Sequence, residues 1–131
     1  MKARIFKHKK LVIASHNKGK IIELKDLLAP LNIEIFSAYD FDLEEPEENG
    51  VTFEENALIK STFVTQKTGL PSISDDSGIC FSDLDGKPGV YSARWAGPSK
   101  NFSVAMSKIN ESIKKKKKPN YECYFVCSLS L

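Results

Sequence analysis

Lys10-Leu11-Val12-Ile13-Ala14-Ser15-His16-Asn17-Lys18-Gly19-Lys20-Ile21-Ile22-Glu23-Leu24-Lys25-Asp26-Leu27-Leu28 decides the fold. Its first six residues form a continuous apolar run with basic residues ahead and a polar loop behind, the pattern of a strand buried on both faces. The loop His16–Lys20 then leads into Ile21–Leu28, whose apolar positions fit one helical face and whose end is marked by Pro30. Strand, glycine-containing loop and helix in that order are the opening of an α/β fold, with the strand near the centre of its sheet. A helix N-terminus presents unpaired N–H groups and a partial positive charge, so the junction is an anion site in waiting. Lys18 and Lys20 add full charges, Asn17 an amide, and Gly19 close backbone approach. Phosphate is the expected anion, although the loop has neither Walker nor dinucleotide glycine spacing. A solvated connection with surface lysines is the plainer alternative.

The chemistry is densest in Ser74–Gly97, SDDSGICFSDLDGKPGVYSARWAG. Pro71-Ser72-Ile73 reads as a short buried strand, and Ile79–Phe81 as another. Neighbouring residues of an extended chain point to opposite faces, so Asp75 and Asp76 can share a site only if the backbone bends, which Gly78 permits. A carboxylate there can hold a hard cation, orient a water or take its proton. The competing reading is an Asp/Ser/Gly turn bonded to its own backbone. Further on, Arg94 and Trp95 suit a phosphate and a base no better than a structural arginine and a core tryptophan.

Between these stretches, Ile33–Phe36 reads as a second strand. An acidic segment from Asp40 to Glu48 follows, and Thr52 with Glu55 signals the start of a helix running to about Lys67, stopped by Gly69. On it Asn56 and Lys60 share a face with Phe53, Ala57 and Val64. Lys60 is either a packed surface lysine or one directed at phosphate oxygens beside Asp76. Asn101–Lys114 carries a stripe of Phe102, Ala105, Met106, Ile109 and Ile113 expected in the core, and residues 121–131 read as a strand with an apolar edge open to pairing.

At 131 residues, 41% hydrophobic and 27% charged, the chain suits one folded domain with a modest core. Its net charge of +2 depends on the five lysines of Lys114–Lys118, so basicity is local, and a solvated loop is preferred there to a nucleic-acid site. Cys123 and Cys127, four apart on a strand, lie about 13 Å apart, beyond disulfide reach. With Cys80 they read as buried thiols in a reducing cytosol. The basic Met1–Lys10 is not followed by a signal-peptide core, and no stretch suits a membrane span, so a cytoplasmic protein is expected.

Taken together, Ser15-His16-Asn17-Lys18-Gly19-Lys20, the segment from Glu48-Asn49-Gly50 through Phe53-Glu54-Glu55-Asn56-Ala57 to Lys60, and Ser74–Gly97 resemble the inosine/xanthosine triphosphate pyrophosphatase family. The resemblance implies an α/β fold with an elongated mixed β-sheet, flanking helices, two lobes around a nucleotide cleft, and a homodimer. It implies hydrolysis of non-canonical purine nucleoside triphosphates (ITP, dITP, XTP) to monophosphate and pyrophosphate. By resemblance, Ser15, His16, Asn17, Lys18, Gly19 and Lys20 bind the triphosphate and Ser77 contacts substrate. Glu48 and Asp76 hold Mg2+, Asp76 is the general base with Asp75 supporting it, and Lys60 faces phosphate. Residues 1–131 are then one such domain, incomplete at the C-terminus, because the Phe-Gly-Tyr-Asp and Ser-His-Arg segments that read the base in the family do not occur here. A catalytically inactive nucleotide-binding remnant is the alternative, and a related enzyme for modified pyrimidine nucleotides a third.

Overall fold

In a computed structural model, which describes residues 4–131, the apolar run becomes strand β1 (Lys10–Ile13), with Leu11, Val12 and Ile13 buried. The first three residues of the basic N-terminal stretch lie outside the described residues. Helix α1 follows (Lys18–Leu28), then strand β2 (Glu34–Ser37), helix α2 (Phe53–Thr68), strand β3 (Ser72–Phe81), a short helix α3 (Ser92–Trp95), helix α4 (Phe102–Lys114) and strand β4 (Cys123–Ser130). The four strands form one sheet in the order β2-β1-β3-β4. β1 runs parallel to both neighbours, in a register that sets Val12 opposite Phe36 on one side and Ser72 on the other. Ser61 ties to Ser72 and to Ser130, while Ser82 takes the Glu122 carbonyl. β4 therefore runs antiparallel to β3, and the sheet is mixed, as expected.

The chain divides into two compact units. The first comprises residues 1–50, 54–75 and 129–131. Its core gathers Val12, Ala14 and Val64, with Phe36, Phe41, Leu43, Phe63 and Leu70 packed around them. α2 lies close on β3 because the facing strand residues are serines. Ser74 Oγ donates to the Ala57 carbonyl and Ser72 Oγ to the Ser61 carbonyl at 2.6 Å. A hydroxyl on each inward strand position thus meets a second acceptor site on helix carbonyls already used within the helix. Gly69, at φ +69°, ends α2 where the sequence placed its stop.

The second unit comprises residues 51–53 and 76–128, with Cys80, Ala96, Ala105, Ile109 and Ile113 buried. α4 is capped by Asn101, whose side chain accepts from the Ser103 N–H. Two expectations about this part are corrected. Of the helical stripe, Ala105, Ile109 and Ile113 are buried but Phe102 and Met106 are exposed, so the covered face is narrower than the apolar pattern. Of the thiols only Cys80 is buried; Cys123 and Cys127 are exposed, because with Phe125, itself 79% exposed, they occupy the alternate positions of β4 that none of the described residues covers.

Candidate functional site

The anion-site junction is tighter than the sequence suggested. α1 begins at Lys18, not Ile21, because Asn17 caps it: its Oδ1 accepts the Lys20 N–H at 3.1 Å. Lys18, Gly19 and Lys20 are thus the first helical turn, and the connecting loop shrinks to Ala14–Asn17. The Asn17 N–H in turn donates to Ser15 Oγ at 3.2 Å. His16 is fixed twice. Its Nε2 meets the Leu43 carbonyl at 2.7 Å and so carries the proton, since a carbonyl only accepts; its own carbonyl accepts the Tyr39 hydroxyl at 2.8 Å. The two rings meet edge to face, 5.3 Å between centroids.

Tyr39 sits in a 3-10 turn, Ala38–Phe41, closed by Asp40. The Ser37 N–H donates to Asp40 Oδ2 at 2.7 Å and the Ser37 hydroxyl at 3.0 Å. The backbone donor first, and the hydroxyl second, hold the Asp40 carboxyl below the usual carboxylate range, with Lys25 adding a smaller pull in the same direction.

The carboxylates lie on β3, which differs from the expected strand-bend-strand: it is one unbroken ten-residue strand. Alternation therefore puts Asp75 on one face and Asp76 on the other, the face of Ser72 and Ser74. Both are buried, 6% and 9% exposed. Asp75 belongs to the first unit and is paired there with Lys20, Nζ to Oδ2 2.5 Å. Asp76 and Ser77 open the second unit. Gly78 serves close approach, not a bend. A Cβ on it would fall 2.3 Å from the Gly89 carbonyl oxygen and 2.7 Å from Ser92 Oγ. Ser92 bridges the same spot, accepting from the Ile79 N–H at 3.0 Å and donating to the Gly89 carbonyl at 2.6 Å.

Also in the first unit, Lys60 Nζ lies 3.3 Å from Glu48 Oε2, with its side chain only 12% exposed. Lys60 is therefore packed along its stem and ion-paired at its head. Asn56, 2% exposed, is a positioning residue: its Oδ1 accepts the Gly50 N–H at 2.8 Å and fastens the segment that carries Glu48. The first unit thus brings together Ser15, His16, Asn17 and Lys20 around the start of α1, Lys20 with Asp75, and Lys60 with Glu48. Lys18 and Gly19 are exposed on the first turn of α1. Tyr39 and Ser92 escaped the sequence reading, and Asn56 was seen without its role. The amide on the apolar face of α2 was visible, but its backbone partner six residues upstream was not. In the second unit Arg94 stacks on Tyr91 at 5.0 Å and Lys108 lies 5.7 Å over Trp95, so both aromatic rings already meet a cation of the chain.

Among the described residues no group of three or more His, Cys, Asp or Glu side chains forms a ready-made metal cage. The donors present are hard carboxylate oxygens. They fit magnesium, which takes one or two carboxylates and completes its shell with phosphate and water oxygens.

Comparisons with known proteins give the chain's relatives. The family model described as the Ham1 family matches residues 11–131. A dITP/XTP pyrophosphatase from Zymomonas mobilis is 46% identical over 123 residues, which are 93% of this chain and 59% of that protein. One from Bartonella quintana is 54% identical over 110 residues, 82% of this chain and 51% of its own length. The chain thus spans between about half and six-tenths of the curated relatives it matches. Among solved structures, a HAM1 protein from Coxiella burnetii superposes with a TM-score of 0.86 at 34% identity, covering 93% of this chain and 62% of that one. The Staphylococcus aureus Ham1 protein gives 0.78, also at 34%, over 92% and 62%. With its sheet order, its helices and 121 consecutive residues matched, this chain belongs to the Ham1 family.

Proposed function

We propose that residues 1–131 act as a single nucleoside triphosphate pyrophosphatase-like domain. It hydrolyses non-canonical purine nucleoside triphosphates such as ITP, dITP and XTP to the monophosphate and pyrophosphate, in the cytoplasm and as a homodimer. The observation that carries this reading is the Lys20–Asp75 ion pair, which ties the first turn of a capped helix to the strand residue preceding Asp76. The relatives named dITP/XTP pyrophosphatases supply the substrate class.

Each residue has a task on this reading. The start of α1, with Lys18, Gly19 and Lys20, binds triphosphate oxygens through its N–H groups and the lysine charges. Ser15, His16 and Asn17 shape that turn, and Ser77 contacts the nucleotide. Asp76 takes a proton from water as the water oxygen bonds to the α-phosphorus. The bond from that phosphorus to the bridging oxygen breaks, and pyrophosphate leaves. Lys20 and Lys60 stabilise the charge on the departing group, and each is already held beside a carboxylate, Asp75 and Glu48 respectively. The carboxylates proposed for magnesium, following the family resemblance, are Glu48 and Asp76; when bound, the ion would supply neutralisation of the triphosphate. Asp75, across the strand from Asp76, keeps Lys20 aimed.

The test is pyrophosphate release from ITP with magnesium, GTP serving as the comparison substrate. Asp76→Asn keeps the size and removes the base, so turnover falls at least a hundredfold while the melting midpoint holds. Undiminished release by this variant, or equal release from ITP and GTP, would sink the reading. A folded wild-type chain that binds ITP without releasing pyrophosphate would favour the nucleotide-binding remnant.

A further inference from the structure

We infer that Tyr39 is a positioning residue for anion binding, through the single peptide unit that joins His16 to Asn17. This inference rests on the phosphate-binding reading of the loop. Both ends of that peptide are held. Its carbonyl accepts the Tyr39 hydroxyl at 2.8 Å, and its N–H donates to Ser15 Oγ at 3.2 Å. The next bond in the series is the cap, in which Asn17 Oδ1 accepts the Lys20 N–H.

The orientation of this peptide matters because its two ends have opposite partial charges. An anion at the start of α1 is attracted by N–H groups and repelled by any carbonyl oxygen turned toward it. Tyr39 removes that second possibility by engaging the His16 carbonyl. The remainder of the clamp fixes Tyr39 itself. The His16 ring packs edge to face on it and reaches past it to the Leu43 carbonyl. The Leu43 N–H returns to the Ala38 carbonyl at 3.1 Å, and Asp40 closes the same turn on Ser37. His16 therefore acts by holding this segment against the loop, its Nε2 proton committed to a backbone oxygen. Tyr39 is 47% exposed, so its hydroxyl serves this bond and not the core.

The experiment compares wild type with Tyr39→Phe, which keeps the ring and removes only the hydroxyl. His16→Gln, which keeps a donor for Leu43, and His16→Leu, which does not, complete the set. Inorganic tripolyphosphate is the probe for affinity, ITP for turnover, and amide hydrogen exchange at Asn17 in unliganded protein reports the loop. Loss of one neutral hydrogen bond predicts tripolyphosphate binding about three- to tenfold weaker in Tyr39→Phe, and Asn17 exchange faster by a similar factor. KM for ITP rises in proportion while kcat stays within about twofold. His16→Gln falls nearer wild type than His16→Leu. Wild-type tripolyphosphate affinity in Tyr39→Phe overturns the inference, as does a loss confined to melting temperature. If wild type itself does not bind tripolyphosphate, it is the phosphate-binding reading that fails.

Discussion

The two sides of β3 are built on different principles. At Asp75 the strand is held by charge, a buried carboxylate against the Lys20 ammonium, and elsewhere in the same unit Glu48 and Lys60 repeat the device. Three residues later, at Gly78, it is held by exclusion: a carbonyl and a serine hydroxyl occupy the space where a side chain would begin. Charge pairs can exchange partners when an anion or cation arrives, whereas a packed contact cannot move without opening. On this account the Asp75 end of the strand, in the first unit, is held adjustably, and the Gly78 end, in the second, is held rigidly.

Gly78→Ala tests the fixed side and has the largest expected effect on stability. The atoms it would strike are a backbone oxygen and a hydroxyl that already bonds twice, so neither has a low-cost escape. Overpacking of this kind costs about 3 kcal/mol, and a melting midpoint lower by about 10 °C checks it. Lys20→Met tests the adjustable side. It strips the ammonium from a carboxylate that is 6% exposed, but Lys20 itself is one-third exposed, which discounts the pair from the full buried value. We expect about 2 kcal/mol by denaturant midpoint at neutral pH. A loss from Lys20→Met that exceeds the loss from Gly78→Ala would erase the distinction.

What was readable in the sequence divides along a related line. β1, β2, α2 and its glycine stop follow from apolar runs and turn residues, which act locally and can be seen one segment at a time. The helical pattern also placed Lys60 on α2. The start of α1 was set three residues late because the apolar pattern begins only at Ile21, whereas the helix is capped earlier by the Asn17 oxygen. β3 was read as two pieces because Ser74–Gly78 has turn composition. Its serines instead bond carbonyls of α2, a partnership across sequence separations of 11 and 17 residues. Gly78 was legible as permissive, but the reason for it lies in Gly89 and Ser92, which no local pattern could supply. Likewise Phe102, Met106, Cys123 and Cys127 have core-like chemistry, and only the placement of their neighbours decides that they face out.

The smallest expected effect is the most selective probe of the charge-held side. Asp40 is exposed, yet two donors from Ser37 hold its carboxyl below the ordinary value, near 3.9 in an unfolded chain. A group whose folded pKa is depressed contributes stability that is fully present above the unfolded value and is lost as pH falls through the folded one. The Ala38–Phe41 turn, and with it Tyr39 and the His16 carbonyl, should therefore loosen below about pH 4 and be insensitive above about pH 5. Amide exchange at Asn17, corrected for its intrinsic pH dependence, should rise over that interval in wild type. In Asp40→Asn, which has no carboxylate to titrate, it should start higher and stay flat. The Ile79 N–H, held by Ser92 in the packed region, should show no such step in either protein. A step at Ile79 equal to that at Asn17 would mean that both regions loosen alike in acid, and that the contrast between charge and exclusion has no consequence for how either opens.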